Sequence, residues 1–415
     1  MNPQTRQSWL APLAAALPMI ILPIAVLTIM LATAQRLQLS QTQTANWILA
    51  AYALPCVVSL ILSYRYRQPL LMTGNVFALL FVASLGDRLT YGEIIGVAIV
   101  AGACILVLSA LGLTVRLAAW IPAPVVMGLL AGAVMPYVAG IFTAMNDTPW
   151  PVGGALVAYF WGRRASARVP PILPAAAAAI AIAAALGDLR PVGTFSWVPK
   201  LAITAPLFTV EGLVTGVPVL VVIMTLQSNV PSLIFLRSQG YDPPERVITT
   251  LSGVVTAAAS LLGPIALSLS LPATSLVAGP DAGERAFRYR AVYISAGVVL
   301  VLGLLAELAA QLTRVLPLPL LLALAGLATV GVLMGALQQV MRGPLVLGPV
   351  FAFAIALSDI SLLGLGPFFW ALAIGTGVSF WLEREGWQAL HDRVAPPREP
   401  VVAGAEVAGD PATAK

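Results

Sequence analysis

The sequence predicts an all-α integral membrane protein of about 14 transmembrane segments, and three observations carry that reading. Of 415 residues, 59% are hydrophobic and only 9% charged, with a mean hydropathy of +0.93, whereas a water-exposed surface needs about 25% charged residues. The apolar residues fall in runs close to the roughly 20 residues that a helix needs to cross a bilayer. The basic residues sit in short connections, so the net charge of +5 reflects membrane topology rather than contact with nucleic acid. A cytosolic enzyme, a nucleic-acid binder and a disordered chain are excluded on the same grounds.

The first apolar run begins at Trp9, contains Pro12, Pro18 and Pro23, and exceeds 20 residues. A signal-peptide core has roughly 7–15 residues, so this run is predicted as the first span. The remaining spans are predicted at 45–64, 68–85, 91–113, 121–143, 150–162, 169–187, 211–236, 247–262, 264–280, 288–313, 317–340, 343–358 and 362–383. With the N-terminus inside, seventeen of the 22 Lys and Arg residues fall on inside segments. The five outside are Arg36, Arg88, Arg190, Lys200 and Arg314. Cytoplasmic loops carry such an excess, and a wrong span count scrambles the alternation, so fourteen spans with both termini cytoplasmic are expected. Twelve spans is the rival count, because the sixth run is short. Residues 385–415 turn charged and rich in Pro, Ala and Gly, which predicts a disordered cytoplasmic tail.

The two halves resemble each other at an offset near 195–200. Pro18 and Pro218 open PMIILPIAVLT and PVLVVIMTLQS; Pro69 and Pro264 open PLLMTGNVFALL and PIALSLSLPATSL; Ile121-Pro122-Ala123-Pro124 returns as Leu316-Pro317-Leu318-Pro319. Seven spans per half is an odd number, so the halves are expected to be inverted in the bilayer, a transporter architecture. The third and tenth spans each begin with a short extended stretch (Gln68–Met72 and Ile265–Leu269) and end in a brief helix, about Val76–Leu85 and Leu271–Ala278. Ten helical residues reach only about 15 Å, half a hydrocarbon core. The two spans are therefore predicted as discontinuous, with helix N-termini near the midplane. Non-helical backbone there needs cover from protein or a water-filled cavity, and each N-terminus offers unpaired N–H groups and about half a positive charge. Two facing N-termini make an anion site without buried Lys or Arg. Thr73, Gly74, Asn75, Ser268 and Ser270 are the candidate residues at those breaks; the same residue types also suit capping and kinking of ordinary spans.

Further candidates lie on other spans. Gln227, Ser228 and Asn229 form a polar cluster in the eighth span, where interhelical hydrogen bonding is the competing role. Thr28 is the repeat partner of Ser228 on the first span. Phe77 and Phe81 suit stacking on an aromatic ring, or ordinary packing. Glu307 lies inside the eleventh span, and intramembrane acids are functional candidates by default, although Arg314 two turns on marks the outer interface. Asp359 is expected to be solvated between the last two spans, and Glu211 to favour a helix N-terminus. Cys56 and Cys104 lie in apolar runs, and the one histidine, His391, falls in the tail. No metal site, cofactor or histidine proton relay is expected.

The chain resembles the bacterial benzoate/proton symporter (BenE) family. The residues that carry the likeness are SYRYRQPLL before the third span, TLQSNVPSLIFLRSQGYDPPERVITTLSGVVTAAASLLGP across spans eight to ten, and GLGPFFWALAIG in the last. The resemblance spans roughly residues 45–385 and brings kinship to the nucleobase-permease and sulfate-permease fold. It implies core segments 1–114 and 201–313, gate segments 115–200 and 314–384, elevator-like motion of core against gate, and often a homodimer through the gates. It also implies a bacterial inner-membrane location. Two departures bear on substrate: the third-span half-helix starts Gly74-Asn75-Val76 without the family's aromatic and hydroxyl residues, and spans eight and ten carry no carboxylate to grip a nucleobase. The expected function is proton-coupled uptake of benzoate or a similar aromatic carboxylate, with the small anionic substrate, protons and the lipid bilayer as partners. The alternative keeps the fold and exchanges another small organic or inorganic anion. An intramembrane hydrolase lacks both a metal motif and a histidine to pair with serine.

Overall fold

A computed structural model describes residues 3–113, 122–165, 170–191, 200–358, 360, 362, 363 and 365–394. Asp359, much of the predicted tail and residues 114–121 lie outside the described residues. The chain is a multi-pass membrane protein. Among the described residues, seven helices are long and apolar enough to cross a bilayer, and four more apolar helices have 10–17 residues.

Helix α1 (Pro3–Arg36) runs through Pro12, Pro18 and Pro23. Helix α2 (Gln41–Tyr66) starts at a reciprocal cap, in which Ser40 accepts from the Gln43 amide and Gln43 accepts from the Ser40 amide. It stops at Arg67 in the left-handed region, φ 53°. Strand β1 (Met72–Gly74) leads through Asn75 into α3 (Val76–Leu85), and Thr90 with Glu93 caps α4 (Tyr91–Ala110). Helices α5 (Ala123–Asp147), α6 (Pro149–Ala165) and α7 (Ile172–Leu186) follow. Helix α8 (Val210–Ser238) is α-helical to Val222, π-helical over Ile223–Asn229 and α-helical again to Ser238. Helix α9 (Glu245–Ala259) precedes β2 (Leu267–Leu269), which leads through Ser270 into α10 (Leu271–Ala278). A bend at Leu305 divides α11 (Tyr289–Leu304) from α12 (Ala306–Val315). Helices α13 (Leu318–Arg342), α14 (Leu347–Leu357), α15 (Pro367–Leu382) and α16 (Arg384–Val394) complete the described chain.

Helix α16 corrects the expectation of disorder at the start of the tail: residues 384–394 are helical. Charged composition hides the local anchors. The Trp387 ring meets Phe380 edge-on at 5.5 Å, and Gly386 lies so close to the Pro344 carbonyl that a Cβ would come within 2.2 Å of it.

Helix α2 packs along α11 and α4 along α9, while α5 packs against α13 and α14, and α14 against α15. Small residues permit the closest approaches, the usual means of packing helices where lipid offers no hydrophobic drive. Gly102 and Gly253 face each other across α4 and α9, and Gly128 of α5 lies against the Pro349 carbonyl of α14, where a Cβ would stand 2.0 Å from the oxygen. Phe81 of α3 meets Phe368 of α15 edge-on at 5.2 Å. The Gly366 amide donates to Thr215 Oγ1 of α8 at 3.4 Å.

Candidate functional site

Strands β1 and β2 pair antiparallel, with Met72 opposite Leu269, Thr73 opposite Ser268 and Gly74 opposite Leu267. Helix α3 leaves one end of this ribbon and α10 the other, so the two short helices run in opposite directions from a common centre. Their lengths of ten and eight residues give about 15 Å and 12 Å.

A two-stranded ribbon has two open edges, and hydroxyls from neighbouring helices close them. Ser59 Oγ accepts from the Met72 amide and donates to its carbonyl, both at 2.9 Å, and Ser63 Oγ does the same for Leu70 at 3.3 Å. On the other strand, Thr256 Oγ1 accepts from the Leu267 amide at 2.9 Å and Ser260 Oγ reaches both Ile265 backbone groups at 3.4 Å. These four buried side chains let extended backbone persist among apolar helices. They are absent from the residues that sequence reasoning singles out. The signal is present as hydroxyls four residues apart on α2 and at the C-terminal end of α9.

Asn75, 3% exposed, ties the centre together. Its Oδ1 accepts from the Phe77 and Ala78 amides at 2.9 and 3.1 Å, and its Nδ2 donates to Ser228 Oγ at 2.6 Å and to Ser268 Oγ at 2.9 Å. The tip of α3 is therefore capped by its own side chain. Asn229 holds the opposite strand, accepting from the Leu269 amide at 2.9 Å and donating to Ser252 Oγ at 3.2 Å. The π turn places these two neighbours, and such turns recur at functional sites. Helix α10 begins differently. Ser270 makes no side-chain cap bond, and Pro272 in the first turn has no N–H, so the Leu271 and Ala273 amides lack intrahelical partners.

A cavity of ≈ 110 Å³ opens beside this centre. Thr73, Gly74, Asn75 and Ser270 border it, together with apolar side chains of α1, α2, α10 and α11. Trp47, Tyr52 and Cys56 give its α2 wall, and Ser295 adds a further hydroxyl. No charged residue lines it among the described residues. Thr73 and Ser270 are partly exposed, and their hydroxyls have no hydrogen-bond partner among the described residues and remain open to a guest. Such a site binds an uncharged ring by its walls and an anionic group by hydroxyls, amides and a helix dipole.

The other predicted residues are spread around it. Ser268 is fully buried behind Asn75, and Ser228 lies on the far side of the same bond network. The Gln227 side chain, half-buried in the π turn, has no partner among the described residues; Gln227, Thr28 and Phe77 all lie outside the cavity lining. Phe77 packs against the core instead. Glu307 is buried on α12, away from the lining.

Broken helices around an uncharged cavity in a multi-pass chain match the architecture of membrane transport proteins. The family model described as "Benzoate membrane transport protein" matches residues 7–381, and the chain belongs to that family. One relative is the benzoate membrane transport protein of Acinetobacter baylyi, 26% identical over 352 residues, covering 84% of this chain and 89% of that protein. A second is the inner membrane protein YdcO of Escherichia coli, 26% identical over 337 residues, covering 80% and 85%. Among solved structures, the transmembrane domain of a cyanobacterial bicarbonate transporter, BicA, superposes with a TM-score of 0.51 at 15% identity, covering 95% of this chain and 99% of that one. This last likeness concerns the fold alone.

Proposed function

We propose that the chain takes up benzoate or a similar aromatic carboxylate together with a proton, by elevator-like movement of core segments 1–114 and 201–313 against gate segments 115–200 and 314–384. The observation that carries this reading is the apolar, uncharged cavity at the start of two opposed short helices. For comparison, an engineered apolar cavity of about 150 Å³ holds benzene; the volume here is of the order a single ring needs. The benzoate relative in Acinetobacter points to the same substrate class.

Fourteen spans in two inverted halves, with both termini cytoplasmic, belong to the same reading, and the ribbon supports it. Thr73 and Ser268 are cross-strand partners and also counterparts at an offset of 195, while Met72 and Gly74 each pair with the counterpart of the other. A two-fold axis through that pair exchanges the halves. The edge hydroxyls follow at an offset of 197, Ser59 with Thr256 and Ser63 with Ser260. The packing of α2 on α11 is likewise matched by that of α9 on α4.

Importing an anion against an inside-negative potential costs about 2.3 kcal/mol per 100 mV, and a co-transported proton removes that cost. The test is counterflow of labelled benzoate in proteoliposomes, with protein-free vesicles as baseline. The expected result is exchange that excess unlabelled aromatic carboxylates block and that bicarbonate or sulfate does not. Blocking by the inorganic anions alone refutes the aromatic reading in favour of the inorganic-anion exchanger.

A further inference from the structure

Resting on the proton-coupled reading, we propose that Glu307 is the group that takes up the co-transported proton from the outer side. Among the described residues it is the only Asp, Glu, Lys or Arg whose side chain is buried, at 6% exposure, and its Oε2 is enclosed with no donor. Ser295, Val299 and Gly303 form a stripe spaced by four along α11, and Glu307 follows four residues on, past the bend at Leu305. Ser295 and Val299 border the cavity, and Gly303 lies against Tyr52 and Ala53 of α2. Glu307 lies eight residues beyond Val299, just past the bend at Leu305, at most about 12 Å along the helical rise, between the cavity and the outer ends of the helices.

Helices α1, α2 and α11 pack against α12, and their titratable groups do not serve Glu307. Arg36 of α1 pairs with Asp87 at 2.8 Å, and Arg6 is at the opposite end of that helix. Tyr52 of α2 gives its hydroxyl to the Pro23 carbonyl at 2.6 Å, and Cys56 faces the cavity. Tyr64, Arg65 and Tyr66 of α2, and Tyr289, Arg290 and Tyr293 of α11, belong to the inner ends. Arg314 of α12 itself is exposed. An ionised carboxylate here has no countercharge, an expensive state in an apolar setting; a bound proton removes the charge without any partner. Gln35 Oε1 and Asn46 Oδ1, near the outer ends of α1 and α2, are also enclosed without donors, the kind of group that holds bound water.

The carboxylate accepts a proton from outside water and becomes a neutral carboxyl. After the core has moved, the O–H bond breaks to water on the inner side, and the carboxylate returns with the empty core. The loaded core carries one negative charge on the substrate, and the empty core one on Glu307. Both legs move equal charge, and the net event is one anion with one proton.

Charge movement tests this, with uptake into protein-free vesicles subtracted to remove passive diffusion of the neutral acid. In proteoliposomes with an imposed potassium-diffusion potential, wild-type benzoate uptake is expected to ignore the potential. In Glu307→Gln the substrate charge moves alone, so an inside-positive potential of about 100 mV is expected to favour uptake by up to about fiftyfold, while benzoate–benzoate exchange continues. Glu307→Asp keeps a carboxyl and is expected to stay indifferent to potential with a displaced pH profile. Where the Gln variant fails to fold, that displacement decides, and an unmoved profile overturns the assignment. A folded Glu307→Gln transporter that ignores potential overturns it too, with the coupling reading intact. A wild type that moves benzoate with charge and no proton overturns the coupling reading itself.

Discussion

Replacing Asn75 with Asp separates the two jobs that this side chain combines. The Asp carboxylate retains an acceptor for the Phe77 and Ala78 amides, so the start of α3 is expected to survive. Ser228 and Ser268 lose a donor but can turn their own hydroxyls toward the new oxygen. The hydrogen bonds themselves are expected to change stability by about 1 kcal/mol, and the new charge, without a countercharge at this 3% exposed position, is expected to cost several kcal/mol more. Binding is another matter, because Asn75 borders the cavity. Two unit negative charges roughly 6 Å apart at an effective dielectric of about 20 repel by about 3 kcal/mol, which is about a hundredfold in affinity. The assay is benzoate titration of purified variant and wild type near pH 8, with thermal unfolding of the unliganded proteins as the folding control. Unchanged affinity in a folded Asn75→Asp protein refutes the placement of the anion at this cavity.

Ser59→Ala leaves the Met72 amide and carbonyl without their side-chain partner and is expected to cost about 1–3 kcal/mol, read by chemical unfolding in mixed micelles. Gly128→Ala drives a methyl into the Pro349 carbonyl; overpacking of this kind costs about 1–3 kcal/mol, and a lowered melting temperature checks it. Glu383 accepts from the Val346, Leu347 and Gly348 amides at the start of α14, so Glu383→Ala is expected to lose about 1 kcal/mol, as for a helix cap, and Glu383→Gln less. Equal melting temperatures for the Ala and Gln variants contradict that capping role.

Much of this architecture is legible in the sequence, because Pro69 and Pro264 announce extended backbone where an apolar run should be helical. Val76 and Leu271 then resume helical patterns too short to cross a bilayer. The site is less legible. Thr73, Asn75 and Ser270 read alike as small polar residues, yet Asn75 caps its own helix while Ser270 leaves α10 open; only the backbone angles and the neighbouring Ser228 decide between those roles. Gln227, Ser228 and Asn229 are adjacent in sequence, and the π turn gives the last two to the ribbon while the Gln227 side chain stays unpartnered among the described residues. A helical periodicity absorbs one extra residue without a trace in composition. Ser59, Ser63, Thr256 and Ser260 escape notice because a hydroxyl on an apolar helix ordinarily bonds its own preceding turn, as Ser59 also does with Pro55. The burial of Glu307 depends on α1 and α2 closing over α12, which a span prediction does not contain.

The most direct test is to locate the substrate. Cryo-electron microscopy or crystallography of the protein with 4-iodobenzoate is expected to place the iodine in the cavity walled by Met30, Trp47 and Tyr52, with the carboxylate toward Ser270 and the first turn of α10. Iodine at the lipid-facing surface, or a carboxylate turned away from both short helices, contradicts the account.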